Sequence, residues 1–168
     1  MVRRVRAILG STFFLVLAPG FVAGLVPWWI CHWQFEVALL GLQFTRICGW
    51  VLIAVGAGGL LDSFARFALQ GVGTPAPVFP TRRLIVTGLY RHVRNPMYVA
   101  VAGAILGQGL VFGNVMLLVY GGTVWTLFHL FVRVYEEPTL TASFRSEYRI
   151  YCANVPRWIP RLTPWLGR

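Results

Sequence analysis

At 168 residues with a formal net charge of +10, the chain is 57% hydrophobic and 12% charged, with a mean hydropathy of +0.67. A soluble domain carries about a quarter of its residues as charged side chains, so a soluble globular enzyme, a disordered protein and a coiled coil are all excluded. The cations are all arginine, and they fall outside the long apolar runs, as membrane flanks do, rather than forming a nucleic-acid reading face.

A helix crosses the hydrocarbon core with about 20 apolar residues. Residues 7–35 contain no Asp, Glu, Lys or Arg and predict a first span over 9–29. Its apolar stretch is longer than the core of a signal peptide, so it reads as a span despite the Arg3-Arg4-Val5-Arg6 start. The second span is expected over 44–69, with Arg46 snorkelling at one end and Asp62 paired with Arg66 at i,i+4 at the other. Residues 95–132 are again free of charge and hold two helices, 96–112 and 115–135, separated by the turn chemistry of Gly113-Asn114. Gly56, Gly58 and Gly59 in the second span, and Gly103 and Gly107 in the third, suit close helix packing. Beyond the fourth span, Phe144, Tyr148 and Tyr151 alternate with Arg145 and Arg149. That pattern fits an interfacial amphipathic helix followed by a Pro-punctuated tail from 155 to 165. The expected fold is an all-α integral membrane protein of four spans and one compact domain.

Arginine placement orients these spans. Arg3, Arg4 and Arg6 precede the first; Arg82, Arg83, Arg91 and Arg94 lie between the second and third; Arg145, Arg149, Arg157, Arg161 and Arg168 follow the fourth. The positive-inside rule places both termini and the 70–95 loop in the cytoplasm, in an inner membrane or its equivalent. Cys31, Cys48 and Cys152 share no metal-like spacing and read as small apolar fillers. With one Asp and scattered His32, His92 and His129, neither a Ser-His-Asp triad nor a metal site is expected.

Two segments carry chemistry. In the first, Asn95 is a good N-cap and Pro96 fits the first turn of a helix, with Arg91 and Arg94 just ahead. A helix N-terminus so flanked suits an anionic group, such as the carboxylate of an amino-acid-like cofactor; the alternative is an anchor of Arg, Tyr90 and Tyr98 in the headgroups. In the second, Glu136-Glu137 closes the fourth span. Paired acids at a helix C-terminus oppose the macrodipole, so the pair either receives a cationic, hydroxyl-bearing ligand or bridges to Arg133 or the loop arginines.

The order Leu84…Thr87-Gly88-x-Tyr90-x-x-x-Arg94-Asn95-Pro96-Met97-Tyr98, two apolar spans, then Glu136-Glu137-x-x-Leu140, Phe144, Tyr148 and Val155-Pro156-Arg157 resembles the isoprenylcysteine carboxyl methyltransferase family, itself similar to the phospholipid methyltransferases. The match runs over about residues 71–160. The resemblance implies a membrane enzyme using S-adenosylmethionine, with a two-span region over 1–70 and a methyltransferase core over 71–168 made of a cytoplasmic cofactor-binding loop, a hairpin and a C-terminal segment. Carried over by position, it implies cofactor contacts from Arg82, Leu84, Ile85, Tyr90, Asn95, Pro96, Met97, Tyr98 and Glu136, and catalytic roles for Glu136, Glu137 and Arg94. Arg82 and Asn95 stand where the eukaryotic prenylcysteine enzymes have His, and Val132 where they carry a substrate-side Arg. The acceptor implied is therefore a lipophilic small molecule or lipid-modified group met in the bilayer, not prenylcysteine in particular.

Methyl transfer from a sulfonium is an in-line displacement, so alignment is the main task. A carboxylate acceptor needs no base, whereas a thiol or amine would look to His92 or Glu137. Tyr90, Tyr98 and Tyr135 would suit the cationic donor through cation–π contacts. Two other readings compete: an NADPH-dependent reductase similar to sterol reductases, and a non-enzymatic membrane subunit. No metal and no nucleic acid are expected, and the sequence leaves the oligomeric state open.

Overall fold

The computed structural model describes residues 17–70 and 84–167. The arginines at 3, 4, 6, 82, 83 and 168 lie outside the described residues. Among those described, the chain is helical without strands. The helices are α1 (Leu17–Cys31), α2 (Phe44–Gln70), α3 (Pro96–Phe112), α4 (Val115–Phe131) and α5 (Glu137–Asn154). Two helical stretches, Phe44–Arg66 and Val115–Asn154, are long and apolar enough to cross a membrane, while α1 and α3 are shorter apolar helices.

The chain gathers into two compact units. One takes in Leu61–Pro96 and Phe128–Arg168, the other Leu15–Leu60 and Met97–Leu127. In the second unit, α1 is interrupted by a π-helical turn, Phe21–Leu25. The Val26 N–H bonds to Phe21 O, one residue beyond the α partner, and Pro27 has no N–H to give. The carbonyls of Val22 and Ala23 are thereby freed, and side chains supply the missing donors. Tyr120 Oη donates to Val22 O at 2.9 Å and Gln108 Nε2 to Ala23 O at 2.7 Å. Polar residues inside apolar helices thus repair a backbone defect that a single proline creates.

The turn between α3 and α4 falls on Gly113, at φ +74° with the Val37 carbonyl against it, where a Cβ would be strained and obstructed. Asn114 caps α4 by accepting the Leu117 N–H at 3.1 Å, and its amide binds Glu36. Arg46 reaches back to the Glu36 carbonyl at 2.6 Å and lies 5.3 Å over the Phe35 ring. A carbonyl and an aromatic face thus hold it at the start of α2, while its Nε is buried with no partner among the described residues.

Small residues bring α2 and α3 together backbone to backbone, but not at the spacing expected from sequence. A Cβ on Gly49 would stand 2.6 Å from Gly107 O, and one on Gly56 would stand 2.7 Å from Ala100 O. Gly58 and Gly103 face open space. The contact therefore runs along Gly49 and Gly56, two helical turns apart on one face, and engages only Gly107 of the expected pair. Gly49→Leu should destabilise the protein by about 1–3 kcal/mol through overpacking, whereas Gly58→Leu should be near neutral. Thermal unfolding of the two variants in one detergent checks this difference.

The first unit has its own core. Tyr148, Tyr151 and Val155 are buried together, with Leu84, Val86, Leu140, Phe144 and Trp165 packed on them. Helix α5 bends at Arg145, whose φ of 44° and ψ of −112° are not helical. The bend lies between Phe144 and Tyr148, both of which point into this core.

Candidate functional site

Only some of the residues singled out from sequence come together in the first unit. The segment from Leu84 runs extended into a 3-10 turn, Gly88–Arg91, and then to Pro96 at the start of α3. Gly88 begins that turn at φ +54°, and a Cβ there would overlap the Arg66 guanidinium. Arg66 is itself held by Asp62, at 2.8 Å from Nε and 2.7 Å from Nη2. The Leu89 backbone N–H also bonds to Asp62. The i,i+4 pair therefore does more than end a span, since it is the platform on which the Thr87-Gly88 turn sits. Gly88→Ala should cost about 1–2 kcal/mol from the positive φ and the displaced arginine; the midpoint of thermal unfolding reads it.

Above this platform Tyr90 is half-buried, with its hydroxyl bonded to Ser63 and the charge of Glu136 nearby. Burial pushes the phenol well above its ordinary value, and the negative charge of Glu136 pushes it the same way. Tyr151 Oη donates to Tyr90 O at 2.7 Å, which fixes the turn to α5.

The acid pair is not where its sequence context suggested. The expected helix C-terminus at Glu136-Glu137 does not exist, because the chain continues through a π-helical turn, Val132–Glu136, into α5. The turn absorbs Pro138, which sits in the first turn of α5 and lacks the N–H that an uninterrupted α-helix would use there. Glu137 consequently stands inside a continuous helical run and not at a helix C-terminus, where it would oppose the dipole.

Glu137 joins two distant arginines. Its Oε1 receives Arg94 Nη1 at 2.9 Å and Arg157 Nε at 2.7 Å, and its Oε2 receives Arg157 Nη2 at 2.9 Å. Arg133, a candidate partner by sequence, is exposed. The bonds from Glu137 hold the Arg157 guanidinium above its ordinary value. Arg94 Nη1 also donates to Cys152 Sγ at 2.9 Å, while Arg94 Nε is buried with no partner among the described residues. Two cations thus share one carboxylate, leaving a positive charge and one buried donor unused.

Asn95 is buried, and its Nδ2 donates to Arg157 O at 3.2 Å. His92 Nδ1 lies 2.8 Å from Arg161 O, so that nitrogen carries the proton facing a carbonyl. Ile85 is buried and Leu84 packs on the Tyr148–Tyr151 core. Met97 and Tyr98, in the first turn of α3, belong to the second unit. Tyr135 is exposed and its ring lies 5.3 Å from Phe131. Arg82 lies outside the described residues. Sequence reasoning passed over Ser63, took Cys152 for an apolar filler, and named Arg157 only as a flanking cation and part of a motif. Nothing local marks Ser63 or Cys152, because each meets the site through tertiary packing.

A family model described as phospholipid methyltransferase matches residues 44–147, from the start of α2 into α5. The chain belongs to the phospholipid methyltransferase family. No curated protein and no solved structure matches significantly. This methyltransferase therefore carries the Gly88–Tyr98 segment and both glutamates inside the matched region, in line with the motif resemblance. The family and the two long apolar helices point to a membrane methyltransferase. Neither the reductase nor the subunit reading is favoured by this match.

Proposed function

We propose that this protein transfers a methyl group from S-adenosylmethionine to a lipophilic acceptor that arrives within the bilayer. Enzymes of the family generally use that donor, and the observation that carries the reading here is the arginine pair on Glu137. The leftover positive charge and the buried Arg94 Nε suit the α-carboxylate of the cofactor. Glu136, one residue away beside Tyr90, suits an ammonium or hydroxyl group. The residues of the first unit therefore fit the group: Arg94, Tyr90, Asn95 and Glu136 would meet its polar parts, and Leu84, Ile85 and Pro96 lie along the same segment.

When bound, S-adenosylmethionine supplies an electrophilic methyl on a sulfonium. The protein's own groups bind, orient and exclude water. Glu137 holds Arg94 in place, and Asp62 with Arg66 holds the turn that presents Tyr90. Tyr90 stays a neutral phenol at any physiological pH because burial and Glu136 both disfavour the phenolate, so it orients a ligand and does not act as a base. Both Glu137 carboxylate oxygens are taken up by the two guanidiniums, so this side chain positions Arg94 and Arg157. With Nδ1 turned to Arg161 O, His92 would use Nε2 if an acceptor required proton removal. A carboxylate acceptor would need no such step.

We read the chain as four spans with both termini and the site in the cytoplasm, which the grouping of arginines supports. Residues 1–70 would then form a two-span region and residues 71–168 the methyltransferase core. Whether the acceptor atom is O, N or S follows from the acceptor used. Transfer of labelled methyl from S-adenosylmethionine into an acceptor series tests the proposal. Each buried methylene contributes about 0.8 kcal/mol, so two added carbons should raise turnover efficiency roughly 15-fold until the pocket is filled. Best activity on a short polar acceptor, after correction for partition into micelles, would overturn the lipophilic assignment.

A further inference from the structure

The C-terminal tail is bonded to the 91–95 segment and still leaves aliphatic side chains bare. The Arg94 N–H donates to Pro156 O at 2.9 Å, the Arg161 N–H to His92 O at 3.0 Å and the Trp165 N–H to Arg91 O at 3.0 Å. Asn95 adds its bond to Arg157 O and His92 its contact with Arg161 O. The Trp165 ring packs 5.8 Å from that of Tyr151, and the Trp158 indole donates to His129 Nδ1 at 3.1 Å. Residues 155–165 are therefore a strap laid along the 91–95 segment and pinned to the last turn of α4.

Ile159 and Leu162 in this strap, and Leu166 directly after it, are 80%, 97% and 68% exposed. Pro160 and Pro164 hold the backbone non-helical, so these three cannot fold inward by forming a helix. Exposed aliphatic side chains on a segment fixed by so many bonds are not fraying ends. Exposed arginines on α5, Arg145 and Arg149, lie in the same unit, where Glu147 is the only exposed acid among the described residues. The pin at His129 ties the strap to the point where the charge-free run of residues 95–132 gives way to Arg133 and the acid pair. Exposed aliphatic side chains, a surplus of arginine and the end of a charge-free apolar run together match one surface, the headgroup–acyl boundary of an anionic leaflet.

We propose that Ile159, Leu162 and Leu166 dock the strap onto the headgroup–acyl boundary of an anionic lipid leaflet. The strap then links the membrane surface to the site, because Arg157 within it is bonded to Glu137 and its backbone to Arg94 and Asn95. The proposal rests on the reading of this chain as a membrane methyltransferase, but its test does not need activity.

The full-length protein is reconstituted into bilayers containing phosphatidylglycerol with a diazirine near the top of its acyl chain, illuminated and digested with trypsin. Cleavage after Arg157 and Arg161 yields peptides 158–161 and 162–168, so labelling of the strap is read directly. Both peptides should be labelled, and the triple variant Ile159→Ser, Leu162→Ser, Leu166→Ser should lose most of that label while peptides from α4 keep theirs. Binding of S-adenosylmethionine by the variant in detergent, measured separately, tells a lost membrane contact from a failed fold or a failed cofactor assignment. Unlabelled strap peptides beside labelled α4, or strap peptides cross-linked to a second copy in place of lipid, would overturn the docking. Equal labelling by a phosphatidylcholine probe in wholly neutral bilayers would overturn the anionic preference.

Discussion

Replacing Glu137 by alanine is expected to destabilise the protein more than any other single change at the site. The carboxylate accepts three charge-assisted bonds from Arg94 and Arg157 at 2.7–2.9 Å. Its removal leaves two guanidiniums facing one another with no anion between them. The Arg94 side chain is only 11% exposed, so water cannot fully take over. Arg157 is 28% exposed and partly recovers its hydration. Breaking a fully buried pair costs about 3–5 kcal/mol, and the partial exposure here lowers the expectation to about 2–4 kcal/mol. Arg157→Ala should cost less, because Arg94 and Glu137 remain as a one-to-one pair. Thermal unfolding of both variants, with limited proteolysis of the strap, measures the difference. Equal losses would show that Arg94 does not depend on Glu137.

The second large effect concerns Glu136. Glu136→Gln keeps shape and removes charge, and a lost charge-assisted hydrogen bond costs about 1.5–3 kcal/mol, so S-adenosylmethionine should bind roughly 10- to 150-fold more weakly. The same change takes away one of the influences that raise the Tyr90 phenol, after burial the largest, so that phenol should titrate at lower pH in the variant than in the parent. Calorimetry on folded protein gives the first quantity, and the ultraviolet titration of Tyr90, isolated by comparison with Tyr90→Phe, gives the second. Unchanged affinity with a shifted titration would place Glu136 beside Tyr90 but outside the cofactor site, and the acid function would have to be sought elsewhere.

The two expectations separate neighbours that look alike in sequence. Glu136 and Glu137 are adjacent acids in the same apolar context. One residue turns the side chain by about 100° around a helix, and the π-helical turn just before them alters the phase again. Phase decides that Glu137 meets Arg94 and Arg157 while Glu136 lies near Tyr90. A reading of residue types offers no means of ranking one above the other.

Several features were nevertheless fully legible. The expected helices over 44–69 and 96–112 match α2 (Phe44–Gln70) and α3 (Pro96–Phe112), and α4 begins at Val115 as expected. The signals there are local: a proline that fits a first turn, a glycine at positive φ, and apolar runs bounded by charge. The Asp62–Arg66 pair was legible for the same reason, since four residues along a helix bring two side chains together. The motif order from Gly88 to Arg157 likewise needed no coordinates to suggest the family.

What stayed hidden is non-local. The end expected at residue 135 is in fact a passage into α5, because a π turn accommodates Pro138 where composition alone suggested a stop. Arg94 and Cys152 are 58 positions apart, Asn95 and Arg157 are 62 apart, and no periodicity spans such distances. The helix contact engages Gly56 and Gly107 as expected, but it also runs through Gly49 and passes by Gly58 and Gly103, since it depends on which face the partner helix presents. The sequence by itself determined the apolar helices from residue 44 to 131, the starts at Phe44, Pro96 and Val115, and the family motif, all of which follow from neighbours along the chain. Only the tertiary structure decided which acid holds the arginines and which residues strap the C-terminal tail to the site, because those choices depend on helix phase and on contacts between segments far apart in the chain.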